Sequence, residues 1–242
     1  MIRVFVFKPL LAGTPNPGPF CIKLETALRL SGAPYETSYV TNPAQGPKLK
    51  APFAEIDGTR IGDSTLILEH LKSINGVDLD ARLTPAERGQ SHALQRLIEE
   101  RLYFILVYSR WMEDHNWAVI KALFFGPIPQ PLRLLVSRMA RKSTWNKLLA
   151  QGLGRHNRDE IYAFGAADLK AMSDMLGDKV FFFGVEPSMA DASAYALLIS
   201  ILGPDLTSPL KDAALTHPNL VAYVERMGEV FARNGRRLAV AA

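Results

Sequence analysis

The chain has 242 residues, 48% hydrophobic and 21% charged, with a formal net charge of +4. That balance excludes disorder as the main state, and the length allows one large domain or two small ones with a core that needs no staples. The single cysteine, Cys21, excludes a disulfide scaffold and a cysteine-rich zinc site and suits a reducing compartment. The longest apolar runs, Tyr103 to Tyr108 and Ala194 to Leu202, fall well short of the roughly 20 residues needed to cross a bilayer. Lys8 and Pro9 interrupt the apolar N-terminus before a signal-peptide core forms. The expectation is a soluble cytoplasmic protein with no transmembrane segment.

In chain order, Arg3 to Phe7 predicts a strand. Pro9 to Pro19 reads as a loop. A helix follows from about Pro19 to Leu30, with proline at its favoured first position and Ser31-Gly32 at its end. Cys21, Leu24 and Leu28 share one face of this helix, from which Lys23 points away. Tyr35 to Val40 predicts a second strand, and Thr41 to Lys50 a loop or poor helix. Phe53 to Ile56, Asp57-Gly58 and Thr59 to Ile61 predict a hairpin, because Asp-Gly between short apolar runs suits a two-residue turn. Asp63-Ser64 opens a helix to about Ile74, with Leu66, Ile67, Leu71 and Ile74 on its apolar side.

From Thr84 the pattern is helical only. Thr84-Pro85-Ala86-Glu87 is a capping box, and its helix carries a 3.6-residue apolar period through Leu106. Asp114 to Asn116 breaks it, and Trp117 to Phe125 resumes. Further helices are expected over Pro131 to Leu149, Arg158 to Leu176, Ala192 to Leu202 and Asn219 to about Ala232, the third opened by Ser188-Met189-Ala190-Asp191. The layout is a βαβ unit with a hairpin and a helix (residues 1–76), a polar linker (77–83) and an all-helical part (84–235).

Three segments carry a family resemblance. They are Pro19-Phe20-Cys21 at a helix start, Ala51-Pro52 followed by Gly62-Asp63-Ser64, and Gly184 followed by Ser188-Met189-Ala190-Asp191. The chain resembles glutathione transferases, and Pro19 to Thr26 with Leu28-Arg29 resembles the branch of failed-axon-connections and metaxin-type proteins. The resemblance implies a thioredoxin-like α/β N-terminal domain that binds glutathione, an all-α C-terminal domain, and a homodimer. One departure stands out: Gly18 occupies the position where family members with a cysteine or serine nucleophile carry it.

On this resemblance Ser64 at its helix start would bind the γ-glutamyl carboxylate of glutathione, Asp63 the ammonium, the backbone at Ala51-Pro52 the cysteinyl part, and Lys50 or Lys48 the glycyl carboxylate. The residues alone leave open that Asp63-Ser64 only cap a helix and that Pro52 only starts a strand. The N–H groups of Phe20 and Cys21, after Pro19, would stabilise the thiolate, with Thr14 or Asn16 as further donors. Cys21 is the candidate nucleophile, or else a buried thiol. Tyr103, Tyr108 and Trp111 would line a cleft for a small hydrophobic electrophile. Arg133 to Arg158 forms a basic amphipathic region that fits either a solvated face or an acidic or membrane-surface partner. With interleaved aromatics lacking apart from Trp145, it does not favour nucleic acid.

The functional expectation is a glutathione transferase-like enzyme with glutathione as co-substrate and no metal. The alternative is a non-catalytic binding or adaptor protein of the same fold, with a membrane-peripheral role as one form.

Overall fold

Strand β1 (Ile2–Phe7) runs at the centre of a four-stranded sheet of order β2-β1-β3-β4 in the computed structural model, which describes residues 1–241 and side chains through Asn234. It pairs in parallel with β2 (Tyr35–Val40) and antiparallel with β3 (Phe53–Ile56), and β3 pairs antiparallel with β4 (Thr59–Gly62). The β3–β4 turn is the expected two-residue one, with Asp57 and Gly58 both at positive φ (48° and 83°), as a primed turn requires. Val4, Ala54 and Ile56 on one face of the sheet pack against Leu24 and Leu28 of α1 (Pro19–Ser31) and Ile67 and Leu71 of α2 (Ser64–Asn75).

Helix α2 turns a different face inward from the one the sequence suggests. Ile67, Leu68 and Leu71 are buried, whereas Leu66 and Ile74 are about half exposed, at 48% and 47%. The periodicity was equally compatible with a helix rotated by one position, and Leu66 is held instead at the mouth of a cavity. Between β2 and β3 only a 3-10 turn forms, at Pro43–Gln45.

The helical half begins with α3 (Pro85–Leu97), opened by the Thr84–Glu87 capping box. The long periodic run is not one even helix. A π-turn at Ile98–Leu102 interrupts it before α4 (Tyr103–Trp111). The break expected at Asp114 to Asn116 falls earlier, at Met112-Glu113, and α5 (Asp114–Phe125) starts with Asp114 in its first turn. Then come α6 (Leu132–Gln151), α7 (Arg158–Leu176), α8 (Met189–Leu202), a short α9 (Pro209–Leu215) that the reading above does not contain, and α10 (Pro218–Ala241).

Helix α8 is buried almost all round and packs against α1. Its N-terminus is closed by the Ser188–Asp191 box. The Asp191 carboxylate accepts from Ser188 N (2.8 Å), Ser188 Oγ (2.6 Å), Phe182 N (3.0 Å) and Tyr223 Oη (3.1 Å). The polar linker is fixed too: Asp80 accepts from Ser91 Oγ (2.9 Å) and from Met189 N (2.8 Å), tying α3 to the start of α8. None of the described helices is long and apolar enough to cross a membrane.

Candidate active site

Two cavities flank the start of α1. The first, about 520 Å³, lies between α2, the π-turn and the loop before β3. Its walls hold cations, Lys48, Lys50 and Arg96, beside carboxylates, Asp63, Glu99 and Glu100. Its volume falls in the roughly 300–1,000 Å³ usual for small-ligand sites. Ala51, Pro52, Asp63 and Ser64 meet here, and the Ala51–Pro52 bond is cis. The Asp63 carboxylate accepts from Thr65 N (2.9 Å) and Leu66 N (3.3 Å), so it caps α2 and stays exposed at the cavity. Ser64, the first residue of α2, has an N–H with no acceptor inside the helix. The cap reading of Asp63-Ser64 therefore holds, and the capped helix start faces a cavity of mixed charge.

The second cavity, about 340 Å³, is an apolar cleft between the loop before α1, α4 and α5. Trp111, Phe124, Phe125, Leu106 and Val107 supply most of its wall, and Pro17, Gly18 and Pro19 its floor. Tyr103 lines both cavities and packs its ring 4.8 Å from that of Phe20. Burial raises the Tyr103 phenol pKa, so the group remains a hydrogen-bond donor at neutral pH. The π-turn causes this placement, because it changes the helical register between Leu97 and Tyr103.

Several site expectations need correction. Cys21 is fully buried, and desolvation pushes its thiol pKa up to about 12, so it is a core thiol rather than an accessible nucleophile. Its N–H is taken by Gly18 O at 3.0 Å, which leaves Phe20 as the α1 residue with a free N–H to offer. Asn16 is also buried: it donates from Nδ2 to Phe7 O (2.6 Å) and accepts from Gly18 N (3.0 Å). It braces the loop rather than serving a ligand, and Thr14 donates its hydroxyl to Asn16 O (3.0 Å) in the same brace. Tyr108 lines neither cavity; its ring stands edge-on to Tyr162 at 5.9 Å. Trp111 does line the cleft, stacked 5.1 Å from Trp117. A Cβ at Gly18 would meet Phe7 Cδ2 at 3.1 Å and Cys21 Sγ at 3.3 Å, so this turn is packed around the glycine.

Lys23 points away from the Cys21 face, but into the protein: it is 1% exposed and its Nζ lies 2.7 Å from Glu99 Oε1 and 3.2 Å from Thr65 Oγ1. Glu99 also accepts from Arg96 Nη2 (2.6 Å) and Ser193 Oγ (2.7 Å). The network joins α1, α2, α8 and the π-turn directly behind the mixed-charge cavity. Arg96 and Glu99 were not singled out by the sequence, although Arg96, Glu99 and Glu100 stand at ion-pairing helical spacing. In the basic region, Arg133 spends its guanidinium donors on backbone carbonyls, Arg141 donates to the Trp111 and Met112 carbonyls and to Asp114 Oδ1 (2.6 Å), and Arg158 pairs with Glu113 at 2.8 Å.

Comparison with known proteins matches residues 19–116 to the glutathione S-transferase N-terminal domain and residues 165–227 to the C-terminal domain of the same family. An isoprene-epoxide–glutathione S-transferase from Rhodococcus sp. is 33% identical over 233 residues, covering 94% of this chain and 98% of the relative. The chain belongs to the glutathione S-transferase family. Within this family the chain is also similar to Failed axon connections of Drosophila melanogaster, at 34% identity over 90% of this chain, and spans 54% of that relative's length. Metaxin-2 of Mus musculus is 25% identical over 75% of this chain and 69% of the relative. A solved glutathione S-transferase from Methylobacterium radiotolerans, in complex with glutathione sulfonate, superposes with a TM-score of 0.59 at 18% identity, covering 96% of this chain and 93% of that one. That likeness supports the fold: a thioredoxin-like half followed by a helical half.

Proposed function

We propose that the protein is a glutathione transferase-like enzyme acting on a small hydrophobic electrophile. Glutathione would occupy the mixed-charge cavity, its γ-glutamyl end at Asp63-Ser64, its cysteinyl part along Ala51-Pro52 and its glycyl carboxylate at Lys48 or Lys50. The electrophile would occupy the apolar cleft. The observation that carries this reading is Tyr103, whose ring borders both cavities, so that the sulfur and the electrophilic carbon would meet beside the first turn of α1. There the Phe20 N–H and the Tyr103 hydroxyl would hold the thiolate, which forms the carbon–sulfur bond as the leaving bond breaks. The name of the Rhodococcus relative is in keeping with such chemistry. A cytoplasmic homodimer belongs to the same reading. Calorimetric titration with glutathione, followed by a conjugation assay against small epoxides, tests it; absence of binding at millimolar ligand would refute it.

A second reading, a binding protein without turnover, is favoured by one observation. Gly18 brings no hydroxyl or thiol to the head of α1, and Cys21 beside it is buried. The likeness to Failed axon connections and metaxin-2 is compatible with it. Thiolate absorbance of bound glutathione near neutral pH separates the two readings, since a site that only holds the peptide would leave the thiol protonated.

A further inference from the structure

Two cations are buried near the cavities, and they are treated differently. Lys23 has a carboxylate, Glu99, at 2.7 Å. Arg110, on α4 and 6% exposed, has none among the described residues. Its Nη1 donates to Pro17 O (2.8 Å) and its Nη2 to Ser200 O (2.7 Å), while Nε is buried without a partner. Two neutral carbonyls satisfy donors but leave the charge uncompensated, and an unpaired buried charge is costly. Desolvation lowers the Arg110 pKa to about 10, which still leaves it charged at neutral pH. Arg110 lines the apolar cleft, and among the described residues around that cleft it alone carries a charge.

We propose that the cleft is built for a second substrate bearing a carboxylate: a hydrophobic or aromatic acid that sets its carboxylate against Arg110 and its apolar body against Trp111 and Phe124. An anion there supplies the missing counter-charge in a water-poor setting, where a charge-assisted hydrogen bond counts most. The apolar wall supplies affinity, and Arg110 the selection among hydrophobic compounds of similar shape. This names the substrate class of the site proposed above and rests on that reading for the ligand's role, though not for its binding.

The test is a matched pair, 4-phenylbutyrate and 4-phenylbutan-1-ol, titrated calorimetrically into the full chain. The acid is expected to bind roughly 10- to 100-fold tighter than the alcohol, the range for a hydrogen bond to a charged group. Arg110→Met should abolish the preference, and Arg110→Lys should keep part of it, with thermal melting confirming that each variant folds. Equal binding of the pair by the wild type, or binding of neither, overturns the proposal without recourse to a variant. So does an acid preference that survives in folded Arg110→Met. A parallel titration with glutathione alone separates the two readings, because loss of glutathione binding with the acid preference intact sinks the transferase reading and leaves this one standing. If the wild type shows no acid preference and Arg110→Met lowers bound-glutathione thiolate absorbance, the counter-ion is the sulfur and this proposal fails.

Discussion

Lys23 Nζ and Glu99 Oε1 lie 2.7 Å apart, an ion pair with both side chains almost wholly out of water, tying the first turns of α1 to the π-turn. Such a pair adds little net stability compared with a well-packed apolar pair, but removing one partner strands the other. Glu99→Gln is therefore expected to destabilise the protein by about 3–5 kcal/mol. Lys23→Met combined with Glu99→Met should recover most of that loss. Equilibrium denaturant unfolding of the two variants beside the wild type checks it; equal losses in the single and double variants would contradict it.

Asp63 performs two jobs that a pair of substitutions separates. Asp63→Asn keeps an N-cap acceptor for Thr65 N and Leu66 N, and asparagine tolerates the positive φ of 88° found here. Asp63→Ala loses the cap as well, at about 0.5–2 kcal/mol. The melting temperature should thus fall for alanine and hardly move for asparagine. If the carboxylate pairs with the glutathione ammonium, both variants should lose affinity by calorimetric titration, roughly tenfold or more.

The buried thiol gives a pH dependence with a definite sign. Burial raises Cys21 from 9.0 to about 12, so above pH 9 the unfolded chain releases a proton that the native chain retains. The unfolded state then binds fewer protons, and stability falls as pH rises from about 9 to 12, with no such loss below 9. Cys21→Ala should flatten the alkaline limb of the stability–pH curve relative to wild type. Native Cys21 should also resist thiol reagents at pH 8 and react on unfolding.

Gly203, at the end of α8, lies against Gly13 of the loop that leads into α1. A Cβ at 203 would collide with Gly13 O, a backbone atom that cannot swing aside. Gly203→Ala is expected to cost more than about 2 kcal/mol or to displace residues 9–18, by the overpacking argument. Circular dichroism melts measure the first outcome and glutathione affinity the second.

Much of the architecture was legible because it is written in local chemistry. Asp57-Gly58, the Thr84 and Ser188 boxes and the glycines after α1 and α2 each specify a terminus through backbone hydrogen bonding. What escaped depends on tertiary contact. The sequence places Lys23 only off the Cys21 face; its burial depends on Glu99, 76 positions on. The π-turn leaves no imprint on a 3.6-residue period that continues through it. The short α9 did carry a signal in Ser208-Pro209, an N-cap followed by proline at the first position. Arg110 was not singled out by the sequence, and only the fold reveals that no carboxylate among the described residues meets it.

The five-residue turn at 98–102 makes everything downstream of it sensitive to chain length. A helix advances about 100° per residue, so straightening the turn at constant chain length would swing the Tyr103 ring about a quarter turn from its post, whereas deleting one position there would restore an even helix and leave the ring nearly in place. A one-codon insertion or deletion in the even helix just before it would redirect the wall shared by the two chambers, and this turn is where such a change can be taken up. Evolution or an engineer thus has a mechanical dial here that acts through geometry alone.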